Sequence, residues 1–324
     1  MTVVRDEPSF IDVEFLGHPG VIGTGVLRSD HGVWLVDPGP STGLTGLQKG
    51  LATLGASLAD VRGLLLTHIH LDHAGASGTI VRQRPEIRVF VHERGAPHMI
   101  DPSRLLESAG RLYAGDLGRL WGEVAPVPAA NVQVLKGGER LDVDGRHIDV
   151  LYTPGHASHH VSYFDAHTGS AFVGDTGGIR LAPASPPRGD EPGARAPAGL
   201  RPRPAGIVPP TPPPDIDLQA WSESIARIRG WNATRLYLTH YGAVDRPHEH
   251  LAALEEQLCA CGEIARGILA EPGSDEDHMT RFVERATADL RRAMPEEEAR
   301  RYELAVPFEH CWLGLARYWR KKGR

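Results

Sequence analysis

The chain has 324 residues, 41% of them hydrophobic, and 41 acidic side chains against 35 lysines and arginines give a formal charge of -6. That length can bury a core large enough for a catalytic domain plus a smaller appendage, while the lack of a basic surplus argues against a nucleic-acid partner. The start, Met1 to Glu7, has neither the cationic nor the apolar part of a secretory leader, no run without charge reaches membrane-spanning length, and three cysteines form no disulfide framework, so a cytoplasmic protein without a membrane partner is expected.

In chain order, residues 11–16, 20–28 and 32–36 read as short strands leading to the turn Asp37-Pro38-Gly39, and residues 44–54 as a helix. Asp37 serves either as a turn cap or as a carboxylate that orients neighbouring metal ligands. The apolar run 61–66 reads as a buried strand, and directly after it stands Thr67-His68-Ile69-His70-Leu71-Asp72-His73, followed by the tight turn Ala74 to Gly78 into a helix. Three imidazoles and a carboxylate on one strand-end turn are donors suited to zinc, iron or manganese, and without a metal they would be poorly solvated, mutually repelling groups.

Residues 88–92 form a further strand, with His92 and His98 read as ordinary residues. The stretch 102–128 reads as helix broken by glycine and walls one side of a pocket, with Tyr113 and Trp121 read first as packing aromatics. Three more candidate ligands each follow an apolar or β-branched run and precede a turn: His156 in Thr153-Pro154-Gly155-His156, Asp175 in Gly174-Asp175-Thr176, and His240 in Thr239-His240-Tyr241. Each signal is weak alone, but two neighbouring metals need more ligands than the first loop holds.

Between the last two candidates, residues 181–215 are dominated by proline, alanine, glycine and arginine and show no hydrophobic period, which predicts an insertion with no packed core. Its end, Val208 to Pro214, should be a stiff extended arm passing near the metals, with residues 188–204 mobile. Helix formers then dominate, with helices expected over 248–269, 275–292 and 296–320. Cys259 and Cys261, two apart on the first of these, point in different directions and make no thiol pair. Arg317, Arg320, Lys321, Lys322 and Arg324 read as a solvated, dipole-complementing helix end.

Taken in order, the His-x-His-x-Asp-His loop, the Thr-Pro-Gly-His, the Gly-Asp and the final strand-end His resemble the metallo-β-lactamase-fold hydrolases, in the branch that includes hydroxyacylglutathione hydrolases and acyl-homoserine-lactone lactonases. The resemblance implies an α+β fold, the αββα metallo-β-lactamase sandwich, as a catalytic domain over 1–245 with an appended C-terminal helical subdomain over 246–324. It implies that His68, His70 and His156 hold one divalent ion, that Asp72, His73 and His240 hold a second, and that Asp175 bridges them. Lactam-hydrolysing members carry Cys or Ser where Asp175 stands, and the flavodiiron branch carries Glu in place of His70, so neither activity is expected.

A dinuclear site of this kind, with zinc ahead of iron or manganese, attacks with a bridging hydroxide and needs no protein nucleophile. Asp72 would carry a proton to the leaving group, with His159 and Tyr241 the candidates for an oxyanion donor or substrate contact. The expected substrate is a small ester, thioester or lactone. Phosphodiester or phosphotriester hydrolysis and a mononuclear iron enzyme resembling the persulfide dioxygenases stay open as alternatives.

Overall fold

The computed structural model describes residues 7–181 and 206–323. The segment expected to be mobile, 188–204, lies outside the described residues, as do Met1 to Asp6 and Arg324. Among the described residues, twelve strands run in chain order as β1 (Ser9–Asp12), β2 (Gly23–Ser29), β3 (Gly32–Val36), β4 (Val61–Leu65), β5 (Arg88–His92), β6 (Val132–Leu135), β7 (Arg140–Val143), β8 (Arg146–Tyr152), β9 (Val161–Asp165), β10 (Ser170–Phe172), β11 (Arg235–Leu238) and β12 (Gly242–Val244). The helices are α1 (Leu44–Thr53), α2 (Leu71–Ala74), α3 (Ser77–Gln83), α4 (Ala96–Ile100), α5 (Ser103–Tyr113), α6 (Leu117–Trp121), α7 (Leu218–Arg229), α8 (Pro247–Leu269), α9 (Asp275–Ala293), α10 (Glu296–Ala305) and α11 (Phe308–Lys322). None of the described helices is long and apolar enough to cross a membrane.

The strands form two mixed six-stranded sheets, in the orders β1-β2-β3-β4-β5-β6 and β12-β11-β10-β9-β8-β7. Alternation along each strand decides what lies between the sheets and what lies under the helices. Trp34 and Val36 of β3, Leu65 of β4, Phe90 of β5 and Tyr237 of β11 join Val150, Tyr163 and Phe172 in the inter-sheet core. Their neighbours Val33, Leu35, Leu64, Leu236 and Leu238 turn the other way, into the apolar cluster that also holds Leu47 and Leu51 of α1, Trp221 and Ile225 of α7, and Leu254 and Leu258 of α8. Every strand that is apolar on both faces is therefore covered twice, which is the αββα arrangement expected from the sequence.

The third C-terminal helix differs from expectation. A single helix over 296–320 gives way to α10 and α11, which are separated at Val306 and Pro307. Proline lacks an N–H and its ring clashes with the carbonyl four residues back, so the break at Pro307 was present in the sequence. Helix α9 starts on a capping box in which the Ser274 hydroxyl accepts from Asp277 N and the Asp277 carboxylate accepts from Ser274 N. Cys259 is exposed and Cys311 buried, and all three cysteines are free.

The proline-rich insertion is also less empty of packing than its composition predicted. Leu181, Ile207 and Ile216 at its two ends are buried in the main core, and Pro209, Pro210 and Thr211 are buried with them. The ends are tied by reciprocal backbone hydrogen bonds between Ile179 and Val208, both 2.9 Å. The Tyr302 hydroxyl, on α10, accepts from Leu181 N at 2.9 Å and donates to Gly206 O. Residues 206–216 thus form a strap whose path is set by contacts at both of its ends. The C-terminal basic residues are not simply solvated: Arg317 donates to Pro214 O at 3.2 Å, and Arg320 pairs with Asp275.

Candidate metal centre

All the proposed ligands stand just past the C-terminal ends of strands: His68 after β4, His156 after β8, Asp175 after β10 and His240 after β11. Because β10 pairs in parallel with β11, and β8 is two antiparallel steps from β10, the ends of β8, β10 and β11 fall on one edge of the second sheet, and β4 brings His68 to them from the first. The Asp175 turn passes so close to the first loop that a Cβ on Gly174, at φ +45°, would stand 2.5 Å from Thr67 Oγ1 and 2.7 Å from His160 Nε2. Glycine is required there by both conformation and space.

Two groups of ligand atoms converge among the described residues: His68, His70, His156 and Asp175 in one, and Asp72, His73 and His240 in the other. In the first, His70 Nδ1 lies 2.9 Å from His68 Nε2 and 3.0 Å from His156 Nε2. In the second, His240 Nε2 lies 3.1 Å from Asp72 Oδ2, and His73 Nε2 lies 3.7 Å from the same oxygen. Asp175 faces both groups, with Oδ2 3.4 Å from His156 Nε2 and Oδ1 3.2 Å from His73 Nε2.

The outward ring nitrogens are committed. His73 Nδ1 donates to Asp37 Oδ2 at 2.8 Å, His156 Nδ1 to Pro210 O at 2.8 Å, and His240 Nδ1 to Val21 O at 2.9 Å. Each bond fixes the tautomer that leaves a bare Nε2 facing inward, as metal-binding imidazoles require. Asp37, at φ 52° directly after β3, accepts four hydrogen bonds: from Thr67 N, the Thr67 hydroxyl, His73 and the Thr239 hydroxyl. Of its two sequence readings, the orienting carboxylate is the one the structure bears out.

The electrostatics fit metal ligation. Burial first, then neighbouring imidazoles, lowers His68 well below the ordinary histidine range, and burial takes His70 to about 4, so both rings are neutral near pH 7. His73 and His240 go the other way. Burial opposes their protonation, but Asp175 and Asp72 overcome it and raise both. Burial likewise opposes ionisation of Asp72 and Asp175, yet His73 and its neighbours hold Asp72 near about 2 and Asp175 well below the ordinary range. His73 Nε2 and Asp175 Oδ1, sealed from solvent and 3.2 Å apart, are not aligned to bond each other. Two buried donor atoms aimed at common points rather than at one another are what a shared cation resolves.

A cavity of about 320 Å³ opens onto His70, Asp72, His156 and Asp175. Its walls come from α5, the strap at Pro210 and Pro212–Pro214, and the α10–α11 junction at Val306 and Pro307. His159 lines it, with Nδ1 buried and without a partner among the described residues. Tyr241 is not brought there: its hydroxyl donates to Asp12 Oδ2 at 3.2 Å and its ring packs edge-on against Phe10. Tyr113 does line the cavity, whereas Trp121 is buried and stacked on Phe15. Sequence reasoning passed over Thr67, Thr153 and Thr239, the buried hydroxyls that knit the ligand loops. Their signal was a threonine standing within three residues before a ligand histidine in each motif.

Residues 19–240 match the family model of the metallo-beta-lactamase superfamily, and the chain belongs to that superfamily. It is 27% identical over 167 residues to a metallo-beta-lactamase fold-containing protein of Sulfurisphaera tokodaii, covering 51% of this chain and 54% of that one. To a hydroxyacylglutathione hydrolase of Thermosynechococcus vestitus it is 33% identical over 126 residues, 39% of this chain and 37% of the other. The chain thus spans about half, or less, of the length of the curated relatives it matches. The crystal structure of a metallo-beta-lactamase family protein from Thermus thermophilus superposes with a TM-score of 0.65 at 23% identity, covering 93% of this chain and 89% of that one, a likeness of fold.

Proposed function

We propose that the chain is a dinuclear metal-dependent hydrolase acting on a small carboxylic ester, thioester or lactone, with zinc as the metal of first choice and the cytoplasm as its compartment. The observation that carries this reading is Asp175, which offers one oxygen to each of two separately oriented imidazole groups. When bound, a pair of divalent ions supplies a nucleophile by lowering the pKa of water to about 7 and polarises the substrate's carbonyl.

This chain's own residues supply the rest. His68, His70 and His156 would hold one ion and Asp72, His73 and His240 the other, with Asp37, Pro210 and Val21 fixing ring orientation. Hydrolysis joins the water oxygen to the acyl carbon and breaks the bond from that carbon to the leaving oxygen or sulfur, which must gain a proton. Asp72 lines the cavity with its side chain 21% exposed, so it is placed to carry that proton. Apolar walls from Leu105, Leu112 and Val306 favour an apolar acyl group and keep bulk water from the site.

A second reading, phosphodiester hydrolysis, draws on Arg94 and Arg104, which also line the cavity and make no ion pair among the described residues. A panel of alkyl esters, thioesters, lactones and aryl phosphodiesters, assayed with zinc- and manganese-loaded protein, separates the two. Turnover of carboxylic substrates that falls at least roughly a hundredfold in Asp175→Ala supports the first reading. Turnover of phosphodiesters alone transfers it to the second, and unchanged activity in Asp175→Ala removes the bridging role.

A further inference from the structure

We propose that Tyr113 is a catalytic residue of this site, its hydroxyl donating a hydrogen bond to the substrate's carbonyl oxygen as negative charge gathers there, with Trp121 and His310 as positioning residues that hold its ring. The inference rests on the hydrolase reading and takes the place of the donor role that sequence reasoning gave to Tyr241.

Tyr113 ends α5, and the face that α5 turns to the cavity carries Arg104, Leu105, Ser108, Ala109, Leu112 and Tyr113. Those positions recur at helical spacing, so the helix lies along the cavity with its last residue in the wall that also holds His70, Asp72 and Asp175. The ring is gripped edge-on from two directions, by Trp121 at 5.3 Å and 79° and by His310 at 5.1 Å and 84°. Neither grip is loose. Trp121 is stacked on Phe15 at 5.4 Å, and His310, carried on α11, donates from Nε2 to Leu112 O at 3.1 Å. Burial lowers the His310 pKa, which keeps that ring neutral with Nε2 as its donor.

The hydroxyl at the end of this rigid ring makes no hydrogen bond among the described residues, whereas Tyr163, Tyr237 and Tyr302 all spend theirs on backbone carbonyls. Tyr113 lines the cavity, so its hydroxyl is open to a substrate acceptor there, and phenylalanine would fill the same clamp without offering that donor. Burial, and then the negative charges of Asp72 and Asp175, push the phenol above its ordinary range, so it stays a donor at any working pH. Tyr113 lines the same cavity as Asp72 and Asp175, where the substrate's carbonyl would lie. A donor preorganised in this way acts on charge that develops only in the transition state, so removing one should lower kcat by on the order of 10²–10³ while leaving KM nearly unchanged.

The test uses the full metal-loaded chain and compares Tyr113→Phe, which keeps the ring in its clamp, with His310→Phe, which keeps a ring but loses the bond to Leu112. Expected for Tyr113→Phe are parental metal content and thermal midpoint, a kcat on the best ester or thioester lower by roughly a hundredfold, and a KM within about twofold. His310→Phe should lose less kcat, about tenfold, because the hydroxyl remains but is held less firmly. Binding of butanoate, a product-like carboxylate, gives a readout independent of turnover, and Tyr113→Phe should weaken it by roughly tenfold. Butanoate affinity and kcat both equal to the parent's overturn the proposal, as does a loss explained wholly by lowered metal content. A parent that turns over no carboxylic substrate defeats the hydrolase reading instead, and the butanoate comparison then still decides whether Tyr113 is a donor in this cavity.

Discussion

Replacing Asp37 with asparagine is the sharpest probe of how the metal loop is held. One carboxylate oxygen, Oδ2, accepts from the Thr67 hydroxyl at 2.7 Å, His73 Nδ1 at 2.8 Å and the Thr239 hydroxyl at 2.9 Å, and the other, Oδ1, accepts from Thr67 N at 2.7 Å. All four partners are donors here, and the carboxylate is fully buried. Asparagine keeps the shape but has one acceptor oxygen, so its NH₂ must face at least one donor, and the charge that favours donation from His73 is lost. A hydrogen bond to a charged group contributes about 1.5–3 kcal/mol. Loss of a carboxylate that orients a ligand histidine usually weakens metal binding by roughly 10–100-fold, or about 1.4–2.7 kcal/mol. The two figures agree with the loss of about one charge-assisted bond. The ion held by Asp72, His73 and His240 should therefore bind roughly 10–100-fold more weakly in Asp37→Asn. The His68 group should feel less, through the Thr67 hydroxyl that His68 Nδ1 contacts at 3.1 Å. Competition with a chromophoric zinc chelator measures both affinities, and circular dichroism checks the fold. Two folded proteins whose affinities for both ions agree within about threefold would refute the argument that Asp37 orients the centre.

Elemental analysis after metal-replete expression should find close to two ions per chain, since seven ligand side chains exceed what one four-coordinate ion uses, and a steady value near one sinks the dinuclear reading. Acidification should strip the two groups in order. The pKa values of His73 and His240 are raised, so protons compete for these rings already as pH falls through values above the ordinary histidine range, while His70, at about 4, stays neutral further down; dialysis at about pH 5.5 should leave nearer one ion than two, and simultaneous loss contradicts this. His250 on α8 donates from Nε2 to Gly177 O at 2.8 Å, two residues past Asp175, so His250→Ala should cost about 1–3 kcal/mol of stability, seen as a lowered Tm, and an unchanged Tm excludes the bracing role. Replacing Pro209, Pro210, Pro212, Pro213 and Pro214 with glycine and serine loosens the strap that lines the cavity, so KM should rise or substrate preference shift at constant metal content, whereas kinetics matching the parent across small and bulky esters would make the strap a mere connector.

The candidate ligands that converge in the fold were legible in the amino-acid sequence because each sits in a short local pattern, an apolar strand, a polar turn and then glycine or a helix start, and local patterns survive reading in one dimension. Strand β11 fell on the expected residues for that reason, and the helix broken at Pro307 could have been read in the same way. The uses of these groups were decided elsewhere. Pro210 reaches His156 across 54 residues, Val21 reaches His240 across 219, and His310 fixes the turn at Leu112 across 198. No period or spacing encodes such pairs, because each exists only once two sheets and their helices have packed and brought a donor up to a buried carbonyl. The same holds for the two tyrosines. Tyr241, adjacent to a ligand in sequence, bonds to Asp12 instead of lining the cavity, while Tyr113, 40 residues past His73, stands in the cavity wall. Sequence determined which residues are fit to bind metal, since that is a property of side-chain chemistry. Tertiary packing decided which of their neighbours orient them and which tyrosine lines the cavity, since direction in space belongs to the folded backbone.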